Sequence, residues 1–152
     1  MIAVRAGRDS DRRFVEDLGR RTLRDSVASF RSVDDSRLHE NYAALLDHVF
    51  VQSHLFLIAE RDGKLAGFLL MLDAMPDEVT NMPQGFIAYM AVEPAQRRSG
   101  VASRLLSAAE EVARQRELPY MGLMVTEENI AARRLYERAG YVTERRQLCK
   151  PL

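Results

Sequence analysis

The chain has 152 residues, enough for one domain and too few for two separate cores. Apolar residues make up 47% and charged residues 29%, the balance of a folded globular domain and not of a disordered one. Lys plus Arg and Asp plus Glu come to 22 each, so no general basic field exists to attract nucleic acid or an anionic membrane.

Residues 2–6 read as a short strand. Asp9 or Ser10 is placed to cap a helix that carries Phe14, Val15, Leu18 and Leu23 at helical spacing. Arg12, Arg13, Arg20, Arg21 and Arg24 are interrupted by Glu16, Asp17 and Asp25, which reads as the wet face of that helix. Asp25–Val33 has no pattern that favours one state. A second helix is expected from about Asp34 to Phe50, with Leu38, Tyr42, Leu45, Leu46 and Val49 on one face. His54–Glu60 and Lys64–Asp73 are runs of strand formers joined by Arg61-Asp62-Gly63, whose Asp-Gly pair suits a tight hairpin turn. Pro76, Asn81 and Pro83 make Ala74–Gln84 a loop. Phe86–Val92 is then a buried strand, stopped by Pro94, which lacks the amide proton a ladder needs.

Gly100–Arg116 carries the clearest helical stripe: Val101, Leu105, Ala108, Ala109 and Val112. Leu118-Pro119 breaks it, and Tyr120–Val125 is the next strand. Thr126 is placed to cap a helix from Glu127 to Ala139, which Gly140 would end. Tyr141–Cys149 reads as a last strand. No repeat or linker divides the chain, so a single domain over 1–152 is expected. Cys149 is the only cysteine, and His39, His48 and His54 are scattered, so no disulfide and no metal site is expected. The start Met1-Ile2-Ala3-Val4-Arg5 lacks the apolar stretch of a signal peptide, and no 18 apolar residues run together; a reducing cytoplasm is the expected setting.

Chemistry concentrates in Tyr89–Ala102, where a strand runs through a short turn straight into a helix. The first turn of a helix has amides without intrahelical partners and a partial positive charge, so it can hold an anion. Gly100 and Ala102 keep that surface small enough for a diphosphate, and Arg97 and Arg98 add charge. Taken alone, the pattern also fits an ordinary β–α connection.

Arg97-x-x-Gly100-x-Ala102 resembles the cofactor motif of the GNAT N-acetyltransferases, Gln/Arg-x-x-Gly-x-Gly/Ala. Met90-Ala91-Val92-Glu93-Pro94 resembles the strand that enters it, and Asn129 to Tyr141 resembles the family's second signature, Asn-x-x-Ala-x-x-Leu-Tyr-x-x-x-Gly-Phe/Tyr. The resemblance implies an α/β (α+β) fold: a mixed sheet of about six strands, helices on both faces, and splayed parallel strands that bind CoA. It implies acetyl-CoA as cosubstrate and a primary amine of a small molecule or peptide as acceptor, which attacks the thioester directly. By the same resemblance, the backbone of Met90, Ala91 and Val92 binds the pantetheine arm, and a backbone amide there, that of Met90, polarises the thioester carbonyl. The amides of Arg97, Arg98, Ser99, Gly100, Val101 and Ala102 hold the pyrophosphate, Asn129 bonds the cofactor arm, and Tyr136 protonates the leaving sulfur. On a continuous helix Asn129 and Tyr136 share a face with Ala132 between them; singly, Asn129 equally fits a helix cap and Tyr136 a core aromatic.

The family's usual catalytic glutamates fall at Phe86 and Met124, both apolar, which leaves Glu127 and Asp73 in reserve as bases and mildly favours an amine of low pKa. Asp25–Phe50 and Ala74–Gly85 occupy the regions that shape the acceptor pocket in similar proteins, with Asp77 and Glu78 as attractors for a cation. Two other readings stand beside the enzyme: an acyl-CoA-binding regulatory module without catalysis, and a transferase for another acyl group. Similar proteins finish with two strands, whereas Tyr141–Leu152 at about 3.3 Å per residue holds one good strand or two very short ones. An incomplete final hairpin, with a sheet edge covered by a second copy in a homodimer, is therefore expected.

Overall fold

The computed structural model describes residues 1–152. Its strands are β1 (Ile2–Ala6), β2 (His54–Arg61), β3 (Lys64–Leu72), β4 (Gly85–Val92) and β5 (Met121–Leu123), side by side in that order. All neighbours are antiparallel except β4 and β5, which are parallel. The helices are α1 (Arg12–Thr22), α2 (Asp35–Val51), α3 (Val101–Gln115) and α4 (Ile130–Arg138). Asp62 and Gly63, with φ of 51° and 78°, make the β2–β3 hairpin turn that their sequence predicts.

Period-two alternation sorts the sheet's side chains into two cores. Phe56 and Ile58 of β2 and Phe68, Leu70 and Leu72 of β3 pack on Val15 and Leu18 of α1 and Tyr42, Leu46 and Val49 of α2. Leu57, Ala59, Leu69, Met71 and Ile87 pack on the opposite face against Val101, Leu105, Leu106 and Ala109 of α3. Helices therefore cover both faces, and the central strands are buried on both. The two helices of the first layer cross closely because Gly19 faces the Tyr42 ring; a Cβ there would come within 2.0 Å of it. The Tyr42 hydroxyl donates to Val15 O at 2.8 Å, which ties α2 to α1.

The sheet has five strands where about six were expected. Tyr141–Cys149 forms no strand, and β5 covers only Met121–Leu123 of the expected Tyr120–Val125. The first difference has a simple cause: Thr143–Gln147 is polar at every position, so no apolar face holds it against the sheet. The second follows from the shape of β4.

Candidate active site

In the β3–β4 ladder Leu70 faces Tyr89 and Met71 faces Ile87, which leaves Ala88 as an extra residue, a β-bulge. A bulge bends the strand that carries it. β4 and β5 pair only from Gly85 opposite Met121 to Ile87 opposite Leu123, so their separation begins where the bulge sits. The Glu93 amide donates to Ala66 O at 2.8 Å, and this fixes the phase of the ladder. Since bonded positions alternate, Tyr89 and Ala91 bond inward to β3, and the amides and carbonyls of Met90 and Val92 face the gap left by β5.

The gap leads to the turn before α3. Pro94–Gln96 forms one 3₁₀ turn, and Arg98 and Gly100 then take left-handed backbone with φ of 61° and 89°. Space does not demand glycine at 100, because a Cβ would meet only Ile2 Cδ1 at 3.8 Å; the positive φ does. Gly100 is the N-cap of α3 and supplies no side-chain cap, so the first amides of the helix stay without partners. Val101, 1% exposed, anchors this end in the core. Arg97 and Arg98 are exposed, and Arg97 pairs with Asp25 at 3.4 Å. Ser99 is already engaged, its hydroxyl donating to Gln96 O.

Tyr136 projects from α4 into the edge of the α3 core, its ring edge-on to Tyr141 with centroids 5.8 Å apart. Burial, with a smaller contribution from nearby Tyr89, pushes its phenol up to about 12. Asn129 stands outside the helix. It is the N-cap of α4, with Oδ1 accepting from the Ala132 amide at 3.3 Å. The helix therefore starts at Ile130 and not at Glu127, and the shared helical face expected for Asn129 and Tyr136 does not apply. Thr126 does not cap because its hydroxyl donates to Ser26 O at 2.7 Å. The capping bond leaves the Asn129 amide nitrogen as the group free to donate.

Of the reserve acids, Asp73 pairs with Arg116 through Oδ2 while its buried Oδ1 has no partner, and the exposed Glu127 pairs with Arg133 at 3.3 Å. Asp77 is 8% exposed and organises its own loop, accepting from the Thr80 amide at 2.8 Å and hydroxyl at 2.7 Å and pairing with Arg145. It is not presented to a cationic acceptor.

Two features have no counterpart in the sequence reading. The α1–α2 connection reaches the start of α4: besides the Ser26–Thr126 bond, the Ser29 amide donates to Glu128 at 2.7 Å. On the other side Arg21 grips Glu93 through two bonds of 2.6 and 3.0 Å. The last turn of α1 and the connection after it thus form a strap from the end of β4 to the start of α4. The second feature is Tyr89, whose hydroxyl meets Thr22 Oγ1 at 2.8 Å under the strap. A hollow of about 360 Å³, lined by Arg8, Arg12, Phe50, His54 and Phe56 among others, is elsewhere and includes none of the motif residues.

A model of the acetyltransferase (GNAT) family matches residues 20–141. The N-terminal acetyltransferase A complex catalytic subunit NAA10 of Arabidopsis thaliana is 32% identical over 127 residues, 80% of this chain and 65% of its own. A mycothiol acetyltransferase of Acidimicrobium ferrooxidans is 34% identical over 89 residues, 59% of this chain and 28% of its own. The chain thus spans 28% and 65% of the lengths of these two relatives. A structure from Pyrococcus furiosus described as an acetyl transferase superposes with a TM-score of 0.85 at 23% identity, covering 100% of both chains. A structure from Clostridium acetobutylicum described as an acetyltransferase with acetyl-CoA superposes with a TM-score of 0.65 at 19% identity, covering 99% of this chain and 96% of that one. At these identities the likeness of structure is a likeness of fold.

Proposed function

This chain belongs to the GNAT family of acetyltransferases, and from that premise we propose that it transfers the acetyl group of acetyl-CoA to a primary amine. One observation carries the reading: the gap between β4 and β5 presents the free backbone of Met90 and Val92 and runs to the uncapped start of α3 beside Arg97 and Arg98. An extended amide-bearing arm ending in a diphosphate has matching needs along that line. The Met90 and Val92 groups pair with the arm, the amides of Val101 and Ala102 with the diphosphate, and the Asn129 amide nitrogen with an arm carbonyl.

The acceptor nitrogen bonds to the carbonyl carbon as the carbon–sulfur bond breaks. The Met90 amide polarises the carbonyl oxygen. Tyr136, protonated throughout the neutral range, gives its proton to the departing sulfur; the surplus proton on nitrogen leaves to water, which reprotonates the phenol. No carboxylate stands at Phe86 or Met124 to act as base. A lysine-type amine costs about 4–5 kcal/mol to deprotonate at pH 7, an α-amine about 1. The acceptor class we favour is therefore an α-amine such as a peptide N-terminus, in keeping with the relative named as an N-terminal acetyltransferase subunit.

The test is thiol release on mixing the chain with acetyl-CoA and a panel of peptide α-amines, diamines and small primary amines, with products weighed by mass spectrometry. Acetylated α-amines are expected. CoA binding without thiol release from any amine would favour the second reading, a CoA-binding module without catalysis, for which the apolar Phe86 and Met124 speak. No helix is long and apolar enough to cross a membrane. The proposal includes a cytoplasmic setting and a second copy of the chain on the open edge of β5.

A further inference from the structure

Tyr89 is the polar group beside the gap that the reaction above leaves unused. Its ring is clamped, stacked on Phe68 at 5.9 Å and tilted against Tyr42 at 5.3 Å between centroids. The direction of its hydroxyl follows from its neighbours. Thr22 Oγ1 is buried 2.9 Å from Leu18 O and 3.2 Å from Gly19 O, so its single proton goes to the carbonyls of its own helix. The 2.8 Å contact between the two hydroxyls then has only one proton left to use, that of Tyr89. A phenol that donates to Thr22 keeps its oxygen as an acceptor. Ser26 on the strap lies within reach of that oxygen, and a phenol oxygen has capacity for a second donor.

Position supplies the rest. Tyr89 directly precedes Met90, whose amide faces the gap; its side chain leaves β4 on the strap side, toward α1 and α2, while Tyr136 borders the α3 core on the other face. A proton donor and a hydrogen-bond acceptor thus flank the same opening, one from each face. We propose that Tyr89 binds the acceptor: its oxygen takes an N–H of the incoming amine and turns the nitrogen lone pair toward the thioester carbon. Thr22 is the positioning residue that keeps the phenol oxygen in the accepting state. This rests on the transferase reading for the identity of the gap, and it selects a neutral nitrogen with an N–H to donate.

The probe is CoA joined through an S-acetyl link to glycinamide, whose amide N–H stands where the acceptor nitrogen would. Calorimetry compares it with CoA alone. In the native chain the conjugate should bind tighter than CoA. Tyr89→Phe should remove about fivefold to tenfold of that advantage, the worth of one hydrogen bond, with CoA affinity unchanged. Thr22→Val should lose as much, Thr22→Ser should restore it, and the double variant Tyr89→Phe/Thr22→Val should be no worse than either single one. A merely structural pair would change melting temperature and leave the conjugate's advantage intact. The proposal is overturned if folded Tyr89→Phe keeps the full advantage, or if the native chain binds the conjugate no better than CoA. Thiol release is scored separately: a native chain with the advantage but no release keeps this role for Tyr89 and loses the transferase reading.

Discussion

Tyr136 shows how one residue's surroundings fit a task. A phenol in water has a pKa near 10 and is protonated at neutral pH already; burial beside the α3 core raises it to about 12. The direction matters, because a raised value means the proton is held to higher pH, so the acid form does not run out anywhere between pH 6 and 10. The rate per enzyme should therefore rise with pH as the acceptor amine loses its proton and show no fall below pH 10; a fall near pH 8 would point to another acid. Tyr136→Phe keeps the ring and its contact with Tyr141 and removes only the hydroxyl. Single-turnover acetyl transfer should drop by about 10²–10⁴, with cofactor affinity and melting temperature little changed. Full chemical rate in the Phe variant would remove Tyr136 from the mechanism.

At the scale of elements, the sequence carried the four helices and the first five strands well, their ends poorly and the expected last strand wrongly, for physical reasons. Both Thr126 and Asn129 are good caps, and which one wins depends on Ser26, a hundred residues upstream, which takes the threonine hydroxyl. The bulge at Ala88 has no signal in a run of apolar residues, yet it opens the gap and cuts β5 to three residues. Tyr89 lay inside the motif segment, but its role depends on Thr22 of α1, which no local spacing reveals. By contrast the turn into α3 was legible, because the need for small residues and free amides is local. That element makes a sharp prediction. Gly100→Glu brings a carboxylate and a strained φ of 89° to the start of α3, and CoA binding should be lost in a variant that stays folded. Asn129→Ser keeps a capping oxygen and deletes the amide nitrogen. It should melt like the native chain and bind CoA about fivefold more weakly, one hydrogen bond's worth. Titration with CoA beside melting curves checks both.

At the scale of the whole molecule, the two-layer cover of the sheet stops at β5. That strand bonds to β4 on one side and to nothing on the other, so its outer edge shows a row of unpaired backbone groups. Residues next to it in sequence are apolar and open: Tyr120 is 60% exposed and Met124 71%. Val142 and Leu148, in the segment read from sequence as a strand, are 87% and 89% exposed. A second copy would satisfy both needs, its own polar segment or β5 edge pairing with this one and its apolar residues covering these. The expected mass in solution is thus twice the 17.3 kDa of one chain. Tyr120→Lys, which puts a charge at that edge without touching the turn into α3, should shift the protein to single chains and leave CoA affinity unchanged. Light scattering across a concentration series, beside calorimetry with CoA, gives both readings. A native chain that keeps the mass of one copy at the highest concentrations would mean that the edge is tolerated in water, guarded only by the shortness of β5, and the dimer would be withdrawn.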